Sequence, residues 1–363
     1  MLRIAGPSGN LVSMSERIGF FDQAAFEQLR RARRLDPLVV RRLRTALCKR
    51  FATDQTALAE FPDAEAVAVH SLELFRRSDS ELDGASKLLL RTSGGMLIEA
   101  VILRLSTGRT TLCVSSQVGC AAACDFCATG KMGIARNLTA AEILDQVLTA
   151  GQMLAVEQRS LRNVVFMGMG EPYHNESQVF EAIETLISPT FFALSPAKIL
   201  VSTVGVVDGM LRCAERFPKV HQALSLHSVR QDVRERLIPL AKKFPLARLR
   251  EAIETLNRRY GQTVMIEYLL LAGVNDSEED AREVAAWMAG LDVHVNLIPY
   301  NRIEEAPHLS GSLPEARTAF ARILKDSGLK TTTRYSLGND IAAACGQLVR
   351  HENRIQATQG TGS

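Results

Sequence analysis

From about residue 109 onward, short apolar, β-branched runs alternate with stretches in which apolar positions recur every three or four residues. The runs cover residues 111–115, 163–167, 199–203, 222–226, 264–270 and 293–298. Six units of strand followed by amphipathic helix predict a parallel sheet with crossover helices, hence an α/β domain. Helix starts carry capping residues. Thr139 and Glu142 form a capping-box pattern ahead of Ile143, Val147 and Leu148, and Asn275, Asp276 and Ser277 offer caps before Glu278. A parallel sheet that curls into a full or partial barrel carries its working residues at the C-terminal strand ends. Polar and glycine-rich motifs fall at those points: a cysteine loop after the first run, GMGEP (168–172) after the second, Ser202 near the end of the third, His227 after the fourth and Asn301 after the sixth.

Residues 1–92 read instead as a small, mainly helical domain, joined near Ser93 to a core spanning 93–350. After Gly94 and Gly95, a short β segment contains Ile98, Ala100, Val101 and Leu103. Asp36 and Pro37 form an N-cap and first helical residue, and Leu38, Val39, Leu43 and Leu47 follow at helical spacing. Around them lie Arg30, Arg31, Arg33, Arg34, Arg41, Arg42, Arg44, Lys49 and Arg50 against only Glu27 and Asp36, so two basic helices are predicted. Such helices either neutralise phosphates on RNA or form a solvated face. The tail 351–363, small and polar from Gln356, is expected to be disordered.

Composition narrows the class. A chain of 363 residues, 46% hydrophobic, is able to bury substantial cores. No run of about 18 apolar residues occurs and the N-terminus lacks a secretory pattern, so a cytoplasmic protein without a membrane span is expected. Net charge is only +3, so attraction to nucleic acid would come from local patches.

The sharpest chemical signal is the loop VGCAAACDFCATGK (118–131), in which Cys120, Cys124 and Cys127 stand in C-x3-C-x2-C spacing. Three thiolates hold three irons of a [4Fe-4S] cluster that normally takes four cysteines. The remaining iron is open to S-adenosylmethionine (SAM), whose reductive cleavage moves the hard chemistry onto the cofactor. Phe126, beside the last ligand, suits a cluster shielded from water. Structural zinc requires four ligands and no second cysteine pair is present, while seven cysteines make a sparse and odd disulfide set. Cys48, Cys213 and Trp287 sit in apolar helical patterns and read as core.

The motifs TLCVSSQVGC (111–120), FMGMGEP (166–172), SLH (225–227), AGVNDS (272–277), IPYN (298–301) and GNDIAAACGQL (338–348) together resemble the RlmN/Cfr family of radical-SAM RNA adenine methyltransferases. The resemblance covers roughly residues 93–350. It implies a partial (β/α) radical-SAM barrel, one [4Fe-4S] cluster on Cys120, Cys124 and Cys127, and two SAM molecules per turnover. It also implies that Cys345 accepts a methyl group, that a radical formed there adds to the base, and that Cys113 resolves the adduct through a disulfide with Cys345. By its place upstream of Cys113, Glu99 matches the base that removes the ring proton. Gly170, Glu171, Ser202, Ser225, Leu226, His227 and Asn301 match the SAM contacts.

Within the family, C2 and C8 of an adenosine in 23S ribosomal RNA are the alternative targets, the C2 enzymes sometimes acting on transfer RNA as well. FFALSP (191–196) and FCATG (126–130) look closer to the C8 branch and GEP (170–172) to the C2 branch, a balance tilted to C8. The implied partners are RNA before full ribosome assembly and an electron donor such as flavodoxin or ferredoxin. Two rival readings are a radical-SAM enzyme acting on a non-RNA substrate, which leaves Cys113 and Cys345 without tasks, and a noncatalytic RNA-binding protein with a structural metal.

Overall fold

A computed structural model describes residues 17–334 and 337–348; the tail expected to be disordered lies outside them. A ten-stranded sheet runs through the molecule in sequence order. Its strands are β1 (Leu72–Asp79), β2 (Ala85–Thr92), β3 (Leu97–Arg104), β4 (Thr110–Cys113), β5 (Asn163–Phe166), β6 (Ile199–Thr203), β7 (His221–Ser225), β8 (Val264–Leu270), β9 (Val293–Pro299) and β10 (Lys330–Thr333). From β4 to β10 every neighbour pair is parallel, while β1 to β4 are paired antiparallel. Since β1 and β10 are opposite edges, the sheet is an open, partial barrel.

All six predicted runs are strands of the parallel part. Their sequences explain this: in β8, Val264, Ile266, Tyr268 and Leu270 on one face are at most 1% exposed and Glu267 and Leu269 on the other are 6% and 7% exposed, as expected of a strand covered on both faces. The seventh parallel strand, β10, escaped the sequence reading. Its residues Lys-Thr-Thr-Thr lie on an edge where only Thr331 is buried, so no apolar run announces it.

The expectation of a mainly helical segment up to residue 92 needs correction, because its last stretch, from residue 72, is the strand pair β1 and β2. Leu88, Leu89 and Leu90 favour helix by propensity, but in β2 they lie between two antiparallel partners and are at most 2% exposed. The expected join at Ser93 falls in the turn between β2 and β3, closed by the Thr92 amide bonded to the Met96 carbonyl, 2.8 Å.

Helices do form where the basic segment predicts them, at Gln23–Ala32 and Pro37–Cys48. The Asp36 carboxylate accepts from the Leu38 amide at 2.8 Å, and Phe26, Leu29, Val40, Leu43 and Leu47 face the core. Arg41 and Arg42 are exposed. Arg44 is not part of that face. Its guanidinium stacks 4.6 Å from the centre of the Phe191 ring, and burial lowers its pKa. Arg30 and Arg31 share one ion-pair partner, Glu27.

The helical segment is fastened to helix Ala140–Val156, whose start is the predicted Thr139–Glu142 capping box. Buried Asp145 on this helix accepts from the amides of Ser71 and Leu72, both at 2.7 Å, and from His70 Nδ1 at 2.5 Å. Burial works against a charged His70 ring, but Asp145 and Asp54 together outweigh it and hold its pKa at about 10.

Candidate active site

The polypeptide leaves β4 at Cys113 and enters a small hairpin, Gln117–Cys120 paired with Gly133–Asn137, which projects the cysteine loop over the sheet. Cys120 ends the first hairpin strand, and Cys127 is the N-cap of the short helix Ala128–Lys131. The loop folds back so tightly that a Cβ at Gly130 would lie 2.8 Å from the Cys124 nitrogen and 2.9 Å from its carbonyl oxygen. Burial pushes the Cys120 thiol up to about 12, against the Ala122 amide that donates to its sulfur at 3.4 Å. Cys124 and Cys127 are likewise raised by burial. Thiols so placed lose their protons when a strongly bound metal such as iron takes the sulfur. Among the described residues no group of three His, Cys, Asp or Glu side chains converges on a single-ion site. A cluster demands no such convergence, since each thiolate takes a different iron, and the soft, buried, three-sulfur donor set fits one.

These cysteines line a cavity of about 150 Å³ at the C-terminal ends of the parallel strands. Phe126 stands edge-on to His227, ring centroids 4.7 Å apart, and both face the cavity. After β5, Gly170 adopts φ +104°, and a Cβ there would sit 2.6 Å from Gln117 Cβ, so only glycine permits this turn. Glu171 follows, 2% exposed. Its carboxylate accepts from the amides of Val204 at 2.9 Å and Tyr173 at 3.2 Å, yet burial still raises its pKa to about 7. Such a group gains from a cationic or strongly donating ligand.

Ser202, on β6, and Ser225, ending β7, both donate to Glu267 Oε2, at 2.8 and 3.2 Å. His227 has φ +59°, and its Nδ1 accepts from the Leu269 amide at 3.0 Å. Burial, reinforced by Arg234, lowers its pKa to about 3. The ring is therefore neutral, with its proton on Nε2.

Cys345 stands on the same cavity wall as the three loop cysteines. Its segment is bound to the cysteine loop by the Ala128 amide on the Gly346 carbonyl at 2.7 Å and Thr129 Oγ1 on the Leu348 carbonyl at 3.1 Å. Asn301 Nδ2 donates to the Cys345 carbonyl at 3.2 Å. Cys113 is buried nearby but is not part of that wall. Burial pushes its thiol up to about 12, the nearby Cys345 adds to the rise, and Arg334 opposes it. Both are free thiols. Val101 on β3 is the register partner of Cys113, so Glu99, two residues earlier, shares a sheet face with that cysteine. Glu99 is 2% exposed and pairs with Lys87 at 3.3 Å.

Residues 114–285 match the model of the Radical SAM superfamily. Across 342 residues, 94% of this chain and 90% of the relative, the sequence is 60% identical to a Rhodopirellula baltica protein named a probable RNA methyltransferase. Identity to a probable dual-specificity RNA methyltransferase RlmN of Thermus thermophilus is 44% over 266 residues, 73% of this chain and 74% of that one. The chain belongs to the RlmN/Cfr family. A crystal structure of a radical SAM methyltransferase from Sphaerobacter thermophilus, 37% identical, has a TM-score of 0.87 and covers 91% of this chain and 99% of its own. This family member is a radical-SAM RNA methyltransferase whose cofactors are SAM and a [4Fe-4S] cluster.

Among the described residues, the cavity wall holds Gly170, Glu171, Ser202, Ser225 and His227 as well as the cysteines, whereas Leu226 and Asn301 lie outside it. Leu226 points into the core at 0% exposure, and its amide donates to the Glu267 carbonyl at 3.0 Å. Three participants were missed in the sequence. Glu267 orders the two serines; its signal is a lone charge inside the apolar run Val-Met-Ile-Glu-Tyr-Leu-Leu of β8. Arg234, 0% exposed, donates to the Val204 carbonyl at 2.6 Å and places positive charge near Cys124. Arg334 follows β10 and sits among Cys345, Glu267 and Cys113. Neither arginine stands in a recognisable spacing.

Proposed function

We propose that this enzyme adds a methyl group to C8 or C2 of an adenosine in 23S ribosomal RNA through a methyl-cysteine intermediate on Cys345, consuming two SAM molecules per turnover. The observation that carries this reading is that Cys345 shares a cavity wall with Cys120, Cys124 and Cys127, with Cys113 buried close by. Adenine C2 and C8 are electron-poor and do not attack a SAM methyl group, so a carrier sulfur is needed.

Cys120, Cys124 and Cys127 would hold the cluster. With SAM bound, the cluster would supply the radical chemistry that activates the S-methyl group and the one-electron exchange that base addition requires. Glu171 accepts from the SAM amino group, and Gly170 lets the ligand approach the backbone. Ser202, Ser225 and His227 complete the contacts from the cavity wall, while Leu226, in the core, and Asn301, on the Cys345 carbonyl, support that wall from outside. Cys345 carries the methylene carbon and stays bonded to the base after addition. Glu99 takes the ring proton. Cys113 then gives up its thiol proton as its sulfur attacks the Cys345 sulfur; the C–S electron pair remains on the carbon, which takes up one proton in exchange and becomes the methyl group. The resulting disulfide needs two electrons from an external thiol reductant before the next cycle.

Arg41 and Arg42 meet RNA phosphates, the RNA is taken before the large subunit is fully assembled, and flavodoxin or ferredoxin in the cytosol supplies electrons. The sequence cues for C8 divide in space. FCATG (126–130) belongs to the cysteine loop, as GEP (170–172) belongs to the cavity, but Phe191 and Phe192 pack against Phe20 and Phe21 in the core. Their sequence therefore reports packing of the N-terminal segment, and one cavity cue remains for each carbon.

The test is Cys113→Ala. Protein purified from cells should carry a nuclease-sensitive RNA adduct that survives denaturation, because the methylene bridge has no exit. An intact-cluster variant free of RNA would remove Cys113 from the reaction. Mass mapping of the nucleoside from cells with and without the gene assigns the carbon.

A further inference from the structure

Lys87, on β2, occupies a position that no step above uses. Its Nζ is 3.3 Å from Glu99 Oε1 and 3.2 Å from the carbonyl of Ala342, three residues before Cys345. The Lys87 side chain is 13% exposed and that of Glu99 3%, so the pair is largely withdrawn from water. Other bonds run the same way from the β1–β2 turn to the segment 338–342. Asp340 accepts from Ser80 Oγ at 2.8 Å and from the Glu81 amide at 3.0 Å, and Asp83 accepts from the Gly338 amide at 2.8 Å. Ala342 is held at φ +50°, a conformation unfavourable for alanine that persists only when neighbours fix it.

A buried carboxylate without a cation nearby prefers its neutral form, and a neutral carboxyl accepts no proton. One ammonium group here serves two parts of the site: it faces the carboxylate and bonds the backbone that carries Cys345. We propose that Lys87 is a positioning residue for the proton-removal step, keeping Glu99 ionised and in fixed register with the Cys345 loop. It touches neither RNA nor SAM and acts through Glu99. The proposal rests on the reading of Glu99 as the base, and the ring proton travels only from the adduct's ring carbon to that carboxylate.

Three properties are compared in Lys87→Met, Lys87→Arg and Glu99→Gln holoenzymes: peptide-mass detection of methyl on Cys345, single-turnover methylation of an RNA fragment, and covalent protein–RNA adduct on a denaturing gel. Lys87→Met should methylate Cys345 normally and form the adduct. Release of methylated RNA should be about a hundred-fold slower, the scale of a displaced general base, with the KM for RNA within two-fold of wild type. Lys87→Arg should recover most of the rate. A Lys87→Met enzyme that releases product at the wild-type rate overturns the proposal. So does one that is slow without accumulating adduct, or one that also loses methyl on Cys345, since Lys87 would then hold the loop alone. The Glu99 reading fails separately if Glu99→Gln turns over normally. If Glu99→Gln traps adduct and Lys87→Met does not, only the role of Lys87 is refuted.

Discussion

Replacing Gly130 by alanine should abolish the cluster while leaving the fold intact, although Gly130 ligates nothing. The added Cβ would lie 2.8 Å from Cys124 N, 2.9 Å from Cys124 O and 3.2 Å from Ala123 C. Comfortable separations between such atoms begin near ~3.5 Å, so the backbone at Cys124 must retreat by roughly 0.7 Å, several times the ~0.2 Å tolerance of metal-ligand bonds. The loop has little slack, because Ala123 already sits at φ +55°. Overpacking of this kind costs about 1–3 kcal/mol, too little to unfold a chain whose main core through sheet and helices is separate from the smaller cluster around Cys120, Cys124 and Ala128. After anaerobic reconstitution, Gly130→Ala should therefore show wild-type circular dichroism but little iron, sulfide or visible cluster absorbance. Gly94→Ala, where a Cβ meets nothing within 4 Å, is the matched control and should load fully. Full iron content in Gly130→Ala would refute the claim that the closeness of residues 124 and 130 sets the ligand geometry.

Cys345→Ala should load iron normally but lose methyl incorporation into both its own chain and RNA, whereas Ala at Cys120, Cys124 or Cys127 should lose the iron itself; RNA methylation by Cys345→Ala would end the carrier role. Gln at Arg41 and Arg42 should weaken RNA binding and lower the log–log salt slope by about one unit for each phosphate no longer neutralised, with SAM binding unchanged; an unaltered slope would make them a solvated face. His70, held up at about 10 against an ordinary 6.5, contributes stability that is fully present below about pH 6.5 and lost as pH rises through 10. Thermal melts from pH 6 to 10 should thus fall more steeply for wild type than for His70→Gln, and parallel curves would discount the Asp54–His70–Asp145 link. A stacked base must be extruded to meet Cys345, at roughly a few kcal/mol, so naked RNA should be methylated faster than assembled large subunits; the reverse order would contradict that account of access.

The parallel half of the fold was legible because strands covered on both faces spell continuous apolar runs, and the cysteine loop because three thiols at fixed spacing have few other uses. What stayed hidden has a common cause. Leu88 to Leu90 carry no alternation, and β10 is polar at an edge, so neither β2 nor β10 has the pattern that distinguishes strands from helix or loop. Arg44 counted as surface charge in the sequence because nothing local reveals that Phe191, far along the chain, supplies a ring for it. Glu267, Lys87, Arg234 and Arg334 each draw their meaning from partners on other elements of the fold. Only Glu267 leaves a local trace, a carboxylate misplaced in an apolar strand.

The open sheet has a seam between its edge strands, and residues 338–342 bridge it to the β1–β2 turn through Asp340 and Asp83 and to β2 through Lys87. Side-chain bonds close this gap where a backbone ladder closes a complete barrel. Such a closure has the lower local opening energy, so amide exchange at Gly338 and Glu81 should outpace that at Val295 in β9 by orders of magnitude. Opening there parts the strands at neither side and leaves the cysteine loop in its hairpin. The side-chain closure is thus a weak line along which residues 338–342 can part from the β1–β2 turn, while Cys345 stays tied to the cysteine loop through Gly346 and Leu348 and Glu99 stays paired within the sheet.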